Sequence, residues 1–266
     1  MKADELKIYV TTSNKYVHIL KIFSYLFNKH WGPEKEVTVL GFDRHPEFDL
    51  PSNFNFISLG KQNPPGSWVL SDDVTQMLTD VIHDDYFIWL EENEFLIRPV
   101  NKAILNEYDV HINPNLARVD LTRGTSGRAH SVIKQTPEYD IICADQDAEL
   151  KICVRASIWN REYLLNINQQ PGTGVHSYHW EAHLSNLAKN HDSKVISSNK
   201  NWAITNMDGV HYRTGQHITD LACVGLSSKM NRDSSYGVKV EDETISELVD
   251  LGYVRLRSDG LYDILE

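Results

Sequence analysis

Short apolar runs and longer amphipathic stretches alternate over the first 90 residues. The apolar runs occupy residues 6–10, 37–40, 54–57 and 86–90, and they are typical of strands covered by helices. In two stretches between them, apolar residues recur at spacings of three and four, which predicts helices with one apolar face. Those residues are Tyr16, Ile19, Leu20, Phe23, Leu26 and Phe27 in the first stretch, and Trp68, Val74, Met77, Leu78, Val81 and Ile82 in the second. The order of these elements predicts an α/β fold with a Rossmann-like sheet flanked by helices.

The second half of the chain has a less regular pattern. Runs at 117–121, 141–143 and 152–158 predict strands, and stretches at 159–165, 180–189 and 240–251 predict helices. Residues 171–174 and 225–240 are expected to form loops, because both are rich in small and turn-forming residues. A sheet of this class binds ligands beyond the carboxyl ends of its strands, so residues 11–14 and 91–94 become candidates for a site.

Charge and cysteine content narrow the classes of partner. The chain has 266 residues and a formal net charge of −11, and an acidic surface disfavours dedicated sequence-reading nucleic-acid binding. Its three cysteines, Cys143, Cys153 and Cys223, lack C-x-x-C spacing and predict neither a disulfide framework nor a zinc motif. No run reaches the roughly 18 apolar residues of a membrane span, and no leader pattern opens the chain. We therefore expect a cytoplasmic protein without a membrane span.

An acidic cluster follows the fourth apolar run. Three carboxylates, Glu91, Glu92 and Glu94, repel one another at this position unless a cation or hydrogen-bond donors compensate. Mg²⁺ or Mn²⁺ prefers oxygen ligands and bridges a diphosphate. In an extended stretch Glu92 and Glu94 point to the same side, which predicts a metal site with Asn93 facing away or reaching a sugar hydroxyl. A solvated acidic turn explains the same pattern.

Hydroxyl side chains follow the first apolar run. Thr11, Thr12 and Ser13 precede a predicted helix, where hydroxyls and free amides can hold a base or a phosphate. Simple helix capping is the alternative.

A carboxylate and an indole ring stand together near the start of a later predicted helix. Glu181 is a candidate general base for an acceptor hydroxyl, and Trp180 is a candidate ring for stacking on a sugar. The alternative is a glutamate favoured by the helix dipole, with Trp180 in the core. His179 and His183 are four residues apart, but the zincin pattern H-E-x-x-H is absent.

A basic, glycine-containing stretch runs from residue 118 to residue 128. Arg118, Asp120, Arg123 and Arg128 are candidates for contacts with a pyrophosphate or an anionic acceptor, and a surface loop with local ion pairs is the alternative. The chain has no Walker A, G-x-G-x-x-G or G-x-S-x-G pattern, which argues against the usual kinase, dehydrogenase and serine-hydrolase classes.

Several landmarks, in order along residues 6–215, resemble a group of small glycosyltransferases with a GT-A-like fold, many of them viral or bacterial. The landmarks are residues 7–13, 25–29, 37–41, 85–95, 98–100, 117–121, 156–161 and 180–181. In that group the fourth strand is typically followed by Glu-Asp and aromatic residues, which stand in for the Asp-x-Asp of metal-dependent members. This chain has Glu92-Asn93-Glu94 there, so the departure leaves the metal open.

The resemblance implies a single-domain glycosyltransferase with a mixed sheet, a nucleotide-sugar donor (a UDP-sugar first) and Mn²⁺ or Mg²⁺. It implies a catalytic domain at 1–215, with a donor half at about 1–110 and an acceptor half at about 111–215, and an extension at 216–266 packed on the same domain. By analogy with inverting members, Glu181 is the expected base. The expected donor-binding residues are Thr11, Thr12, Ser13, Tyr16, Trp68, Glu92 and Arg118, the expected acceptor-binding residues are Asp120, Arg123, Trp159 and Trp180, and the expected metal ligands are Glu92 and Glu94.

Two other functions stay open at this point. The same chemistry on a hydroxymethylated base in viral DNA is permitted by a local group of cations, although the net charge opposes it. These cations are Arg118, Arg123, Arg128, Lys134 and Arg155. A non-catalytic module that binds nucleotides or carbohydrates is the second, and Asn93 in place of an acid favours it.

Overall fold

The computed structural model describes residues 1–63, 70–96, 99–121, 129–137, 139–149, 151–170, 177–190, 194–198, 242–256 and 262–265. Nine strands in these ranges form one mixed sheet, and helices pack on both of its faces. The prediction of an α/β fold with a mixed sheet flanked by helices is confirmed.

The strands and helices have the following bounds. The sheet contains β1 (Ile8–Thr11), β2 (Val37–Gly41), β3 (Phe54–Ser58), β4 (Tyr86–Glu91), β5 (Leu116–Asp120), β6 (His130–Gln135), β7 (Asp140–Ala144), β8 (Ser157–Asn160) and β9 (Lys194–Ser198). The helices are α1 (Leu20–His30), α2 (Leu70–Gln76), α3 (Lys102–Glu107), α4 (Arg161–Asn168), α5 (Ser177–Ala188) and α6 (Asp242–Asp250). Short 3-10 turns occur at Ala3–Glu5, Val17–Ile19 and Tyr108–Val110, and a small hairpin pairs β10 (Val254–Leu256) with β11 (Tyr262–Ile264).

The strand order is β3-β2-β1-β4-β8-β5-β9-β7-β6. Strands β1 to β4 are parallel to their neighbours within that group, and β8 is antiparallel to both β4 and β5. The chain moves outward from β1 to β2 and β3, and then returns to place β4 on the other side of β1. The order therefore reverses between β1 and β4, which is the kind of switch point where open α/β sheets bind ligands.

Alternate side chains along the central strands enter two separate cores, as the period of two requires. Ile8 and Val10 pack with α1, α3 and α6 on one face of the sheet. Tyr9, Phe87 and Trp89 pack with α2, α4 and α5 on the other. Burial on both faces explains why β4 is a continuous apolar run in the sequence.

Two predicted elements in the second half have different bounds in the structure. The run at 152–158 was expected to be one strand, but only Ser157–Asn160 is a strand, and the preceding residues form bends. The helix expected from Trp159 begins at Arg161, because the Asn160 side chain accepts a hydrogen bond from the Tyr163 amide (3.0 Å) and caps it. Trp159 therefore lies in β8.

The second amphipathic stretch also differs from the expected continuous helix. Helix α2 ends at Gln76, and a π turn at Met77–Val81 follows it. The carbonyls of Leu78 and Ile82 accept hydrogen bonds from the Arg161 guanidinium at 2.6–2.9 Å. The turn is thus tied to the start of α4.

The C-terminal helix contacts α1 through one carboxylate. Glu247 accepts a hydrogen bond from the Tyr25 hydroxyl and forms an ion pair with Lys29, while the Tyr253 ring packs edge-on against Tyr25 at 5.7 Å. Burial and the bond to Glu247 raise the pKa of Tyr25 to about 12. None of the helices in the described ranges is both long enough and apolar enough to cross a membrane.

Candidate functional site at the switch point

The ends of β1 and β4 lie side by side at the switch point. Thr11 pairs with Glu91 in the strand register, and the Glu92 amide donates a hydrogen bond to the Thr11 carbonyl at 3.2 Å. The Thr12 amide donates to the Leu40 carbonyl at 3.0 Å, which connects this edge to β2. The two candidate segments from the sequence are therefore brought together.

The hydroxyl residues after β1 have different environments. The Thr11 hydroxyl accepts a hydrogen bond from the Trp89 indole at 2.9 Å, and Thr12 is buried. The Ser13 hydroxyl is also buried, and it has no hydrogen-bond partner within the described part of the chain. A buried hydroxyl without a partner costs stability unless a ligand or water supplies one, so Ser13 is the first candidate for a ligand contact. Tyr16 is half-buried and donates its amide to the Ser13 carbonyl at 2.9 Å.

A polar network at the ends of β1, β2 and β3 was missed by the sequence reasoning. The Asn14 side chain donates to the Asp43 carboxylate at 2.6 Å, and the Asn14 amide donates to the Gln62 side chain at 2.9 Å. The bond from Asn14 lowers the pKa of Asp43, which stays exposed. The available signal was the position of Asp43, which follows the second apolar run at the edge already identified.

Glu92 is the most unusual carboxyl group at this edge. Its side chain is 7% exposed, and burial raises its pKa to about 8, opposed by a hydrogen bond from its own backbone amide. A carboxyl group in such a position either keeps its proton at neutral pH or requires a cation.

Glu94 has a different role from Glu92. The amide of Glu91 donates to its Oε2 at 3.2 Å and the amide of Ala156 donates to its Oε1 at 2.8 Å, so both carboxylate oxygens accept backbone hydrogen bonds. Residues 91–94 form a turn, in which the Glu94 amide donates to the Glu91 carbonyl at 3.0 Å. The premise of an extended stretch with Glu92 and Glu94 on one side is therefore wrong. Within the described ranges, no three His, Cys, Asp or Glu side chains converge as a metal site.

Glu181 reaches the same edge from α5. It is half-buried, and its Oε1 accepts a hydrogen bond from the Val154 amide at 2.7 Å. The amide that binds Glu94 belongs to Ala156, two residues further along, so the two amide nitrogens are at most about 7 Å apart. A carboxylate from the turn after β4 and one from α5 are thus held by one short segment.

Four of the expected ligand-binding residues are fully buried: Arg118, Asp120, Trp159 and Trp180. The Trp180 indole donates to the Asn168 side chain at 2.7 Å, and the Arg118 guanidinium lies over the Trp159 ring at 5.4 Å. Full burial removes these side chains from any surface that a donor or acceptor touches. Trp180 therefore matches the core alternative, whereas Arg118 and Asp120 form an ion pair buried in β5 and not the surface loop that was their alternative. The proposed site includes none of these four side chains. Trp68, Arg123 and Arg128 lie outside the described residues.

Two of the cations that permitted a DNA acceptor already have acidic partners in the structure. Arg118 is buried beside Asp120, and Lys134 forms an ion pair with Glu107. No observation in the described ranges favours a polyanionic acceptor. A steep loss of acceptor affinity with increasing salt would support a DNA acceptor again.

We expect Glu92→Gln to flatten the pH dependence of stability when divalent cations are absent. The folded carboxyl group keeps its proton up to about pH 8, whereas the ordinary value is 4.5. Between these values the unfolded state binds fewer protons, so wild-type stability falls as pH rises, with a slope approaching about 1.4 kcal/mol per pH unit. Urea unfolding at intervals from about pH 5 to about pH 8 measures the slope. With the exposed Glu162→Gln as the control, equal slopes in all three proteins would contradict the assignment.

Comparison with known proteins does not assign the chain to a family, so the resemblance seen in the sequence stays a proposal. No model of a known protein family matches the chain, and no curated protein matches it either.

Proposed function

We propose that the chain is a glycosyltransferase with a GT-A-like fold, which moves a sugar from a nucleotide-sugar donor to an acceptor hydroxyl. One observation carries the proposal. At the switch point of the sheet, an unpartnered buried hydroxyl (Ser13) follows β1, and a nearly buried carboxyl group (Glu92) follows the adjacent β4. Glu181 is bonded to the segment that also binds the end of the β4 turn.

The donor nucleotide is assigned to the ends of β1 and β2. The Ser13 hydroxyl gains a hydrogen bond that it lacks in the described part of the free chain. The Asp43 carboxylate is ionised and oriented by Asn14, so it is suited to accept hydrogen bonds from ribose hydroxyls or from the N–H groups of a base.

A hard divalent cation fits Glu92 better than Glu94. Mg²⁺ is commonly held by one or two carboxylates together with substrate phosphates and water, and a cation beside Glu92 offsets the cost of ionising a buried carboxyl group. Both oxygens of Glu94 already accept backbone hydrogen bonds. When bound, the cation supplies charge neutralisation for the diphosphate leaving group.

Glu181 is the proposed general base. The hydrogen bond from Val154 orients its carboxylate through Oε1. In a single displacement, the acceptor oxygen forms a bond to the anomeric carbon, the bond from that carbon to the diphosphate oxygen breaks, and the acceptor proton passes to Glu181. The electron pair of the broken bond leaves with the diphosphate, and the configuration of the sugar inverts.

A non-catalytic nucleotide-binding module is the second candidate. Both oxygens of Glu94 accept backbone hydrogen bonds, so Glu92 is the better suited of the two predicted metal ligands. The loss of a second metal ligand favours a function that needs no catalytic metal. The two functions share the donor contacts and differ in turnover. Release or transfer of sugar from a bound donor in the presence of Mn²⁺ separates them.

We expect a nucleotide sugar, with UDP-sugars first, to raise the melting temperature of the protein, and Ser13→Ala to reduce that rise. A ligand at about 100 times its Kd stabilises the folded state by about 2.7 kcal/mol, which thermal shift detects readily. The panel contains UDP-, GDP- and CMP-sugars with Mn²⁺. Ser24→Ala is the matched control, since Ser24 is a buried serine on α1 whose hydroxyl donates to the Lys21 carbonyl at 3.2 Å. If no donor shifts the wild-type protein, the donor site is withdrawn.

A further inference from the structure

The segment from Lys151 to Ser157, here called the bridging segment, is anchored by side chains at alternate amides. The Ile152 amide donates to the Ser185 hydroxyl (2.9 Å), the Val154 amide to Glu181 (2.7 Å) and the Ala156 amide to Glu94 (2.8 Å). Ser185 and Glu181 belong to α5, and Glu94 belongs to the turn after β4. The bridging segment therefore links the two sides of the proposed site through its backbone.

Arg118 holds both ends of the bridging segment. Its Nη1 donates to the Lys151 carbonyl at 3.2 Å, and its Nε donates to the Ser157 hydroxyl at 2.7 Å. Its Nη2 lies 3.6 Å from the Asp120 carboxylate, and both members of this ion pair are fully buried. A planar guanidinium is suited to this task, because its donors point in fixed directions.

We infer that Arg118 is a positioning residue: by fixing the first and last residues of the bridging segment, it sets where Glu94 and Glu181 lie relative to each other, without touching substrate. The catalytic consequence of this inference rests on the proposed function. A purely structural alternative is that Arg118 only neutralises Asp120. A buried ion pair is a weak source of stability compared with apolar side chains of similar volume. Neutralisation of Asp120 alone therefore does not explain why an arginine is buried at this position.

Arg118→Lys separates the two explanations. Lysine keeps a positive charge beside Asp120, but a single ammonium group does not reproduce the fork that binds Lys151 and Ser157 together. We expect hydrogen exchange at the Val154 and Ala156 amides to accelerate about tenfold, relative to a core amide such as that of Val10, as the loss of one hydrogen bond to a charged group would produce. Ser157→Ala removes the Nε acceptor and leaves both charges, and it also removes the hydrogen bond from the Ser157 hydroxyl to the Arg155 carbonyl (2.6 Å). It should change exchange at the same two amides, and this change supports the inference only when Arg118→Lys, which keeps the Ser157 hydroxyl, produces it too.

Arg161→Lys is the matched control. Arg161 also binds backbone carbonyls, those of Leu78 and Ile82, but it lies at the other end of β8. This variant should leave the relative exchange of Val154 and Ala156 unchanged. If Arg118→Lys and Ser157→Ala also leave it unchanged, Arg118 only neutralises Asp120 and the inference is overturned.

Activity distinguishes this inference from the proposed function. In Arg118→Lys we expect kcat to fall about tenfold, the change equivalent to one such hydrogen bond, with the KM for the donor and the donor-induced melting shift unchanged. If the wild-type protein transfers no sugar from any donor of the panel, the proposed function fails, and the exchange measurement still decides whether Arg118 positions the bridging segment.

Discussion

Glu181→Gln is expected to reduce sugar transfer by about 10²- to 10⁴-fold, the usual contribution of a positioned general base. Glutamine has the same shape, and its carbonyl oxygen still accepts a hydrogen bond from the Val154 amide, as Oε1 of Glu181 does at 2.7 Å. It cannot take a proton from the acceptor hydroxyl. The loss should therefore appear in kcat, and the donor-induced melting shift should persist.

The measurement needs a carboxylate that is close in sequence but outside the site. Glu162 lies in the first turn of α4 and is exposed, so Glu162→Gln should transfer sugar at the wild-type rate. Turnover by Glu181→Gln equal to that of this control would remove Glu181 as the base. Loss of the donor shift together with turnover would instead assign Glu181 to donor binding.

Trp180→Ala is expected to destabilise the protein by about 3–5 kcal/mol, the range found when a large aromatic side chain is removed from a core. The ring is fully buried with Leu184 and Trp159, and its indole donates to the Asn168 side chain at 2.7 Å. The alanine variant leaves both a cavity and an unsatisfied amide oxygen. Urea denaturation curves give the difference directly.

Trp180→Phe separates the two costs, because phenylalanine fills much of the space but cannot donate to Asn168. We expect it to lose less stability than the alanine variant. If Trp180→Ala were as stable as the wild type but had a higher KM for the acceptor, the ring would lie against the acceptor, as the sequence resemblance implied. Stability loss with an unchanged acceptor KM places it in the core.

Periodicity predicted the first half of the fold well because its elements are long or wholly apolar. Residues 86–90 of strand β4 are all buried, and α1 has one apolar face, so each has a clear signature. Strand β6 was missed because most of its side chains are exposed, and Val132 and Ile133 do not alternate with polar residues. Its position depends on pairing with β7, which a local pattern does not encode.

The site was harder to predict because its charged groups bond to backbone from distant parts of the chain. Arg118 and Asp120 alternate with Ala117 and Val119, which normally indicates a strand with one solvated face. In the structure both faces are buried, since Lys151 and Ser157 bond to Arg118 on the polar one. Glu94 likewise seemed to belong with Glu92, but its partner Ala156 is 62 residues away in sequence.

The single reversed strand between β4 and β5 has a consequence for how the molecule tolerates change. Because β8 runs against its neighbours, the chain enters it at the edge where β1 and β4 end, and leaves it beside Asp85, whose carbonyl accepts the Arg161 amide at the start of β4. Insertions before Ser157 would therefore change the edge of the sheet where ligands are proposed to bind. Insertions after Asn160 would fall on the far rim of the sheet, where they would separate the Asn160 cap from α4. A strand of only four residues therefore separates the segment beside the proposed site from the junction that starts a helix.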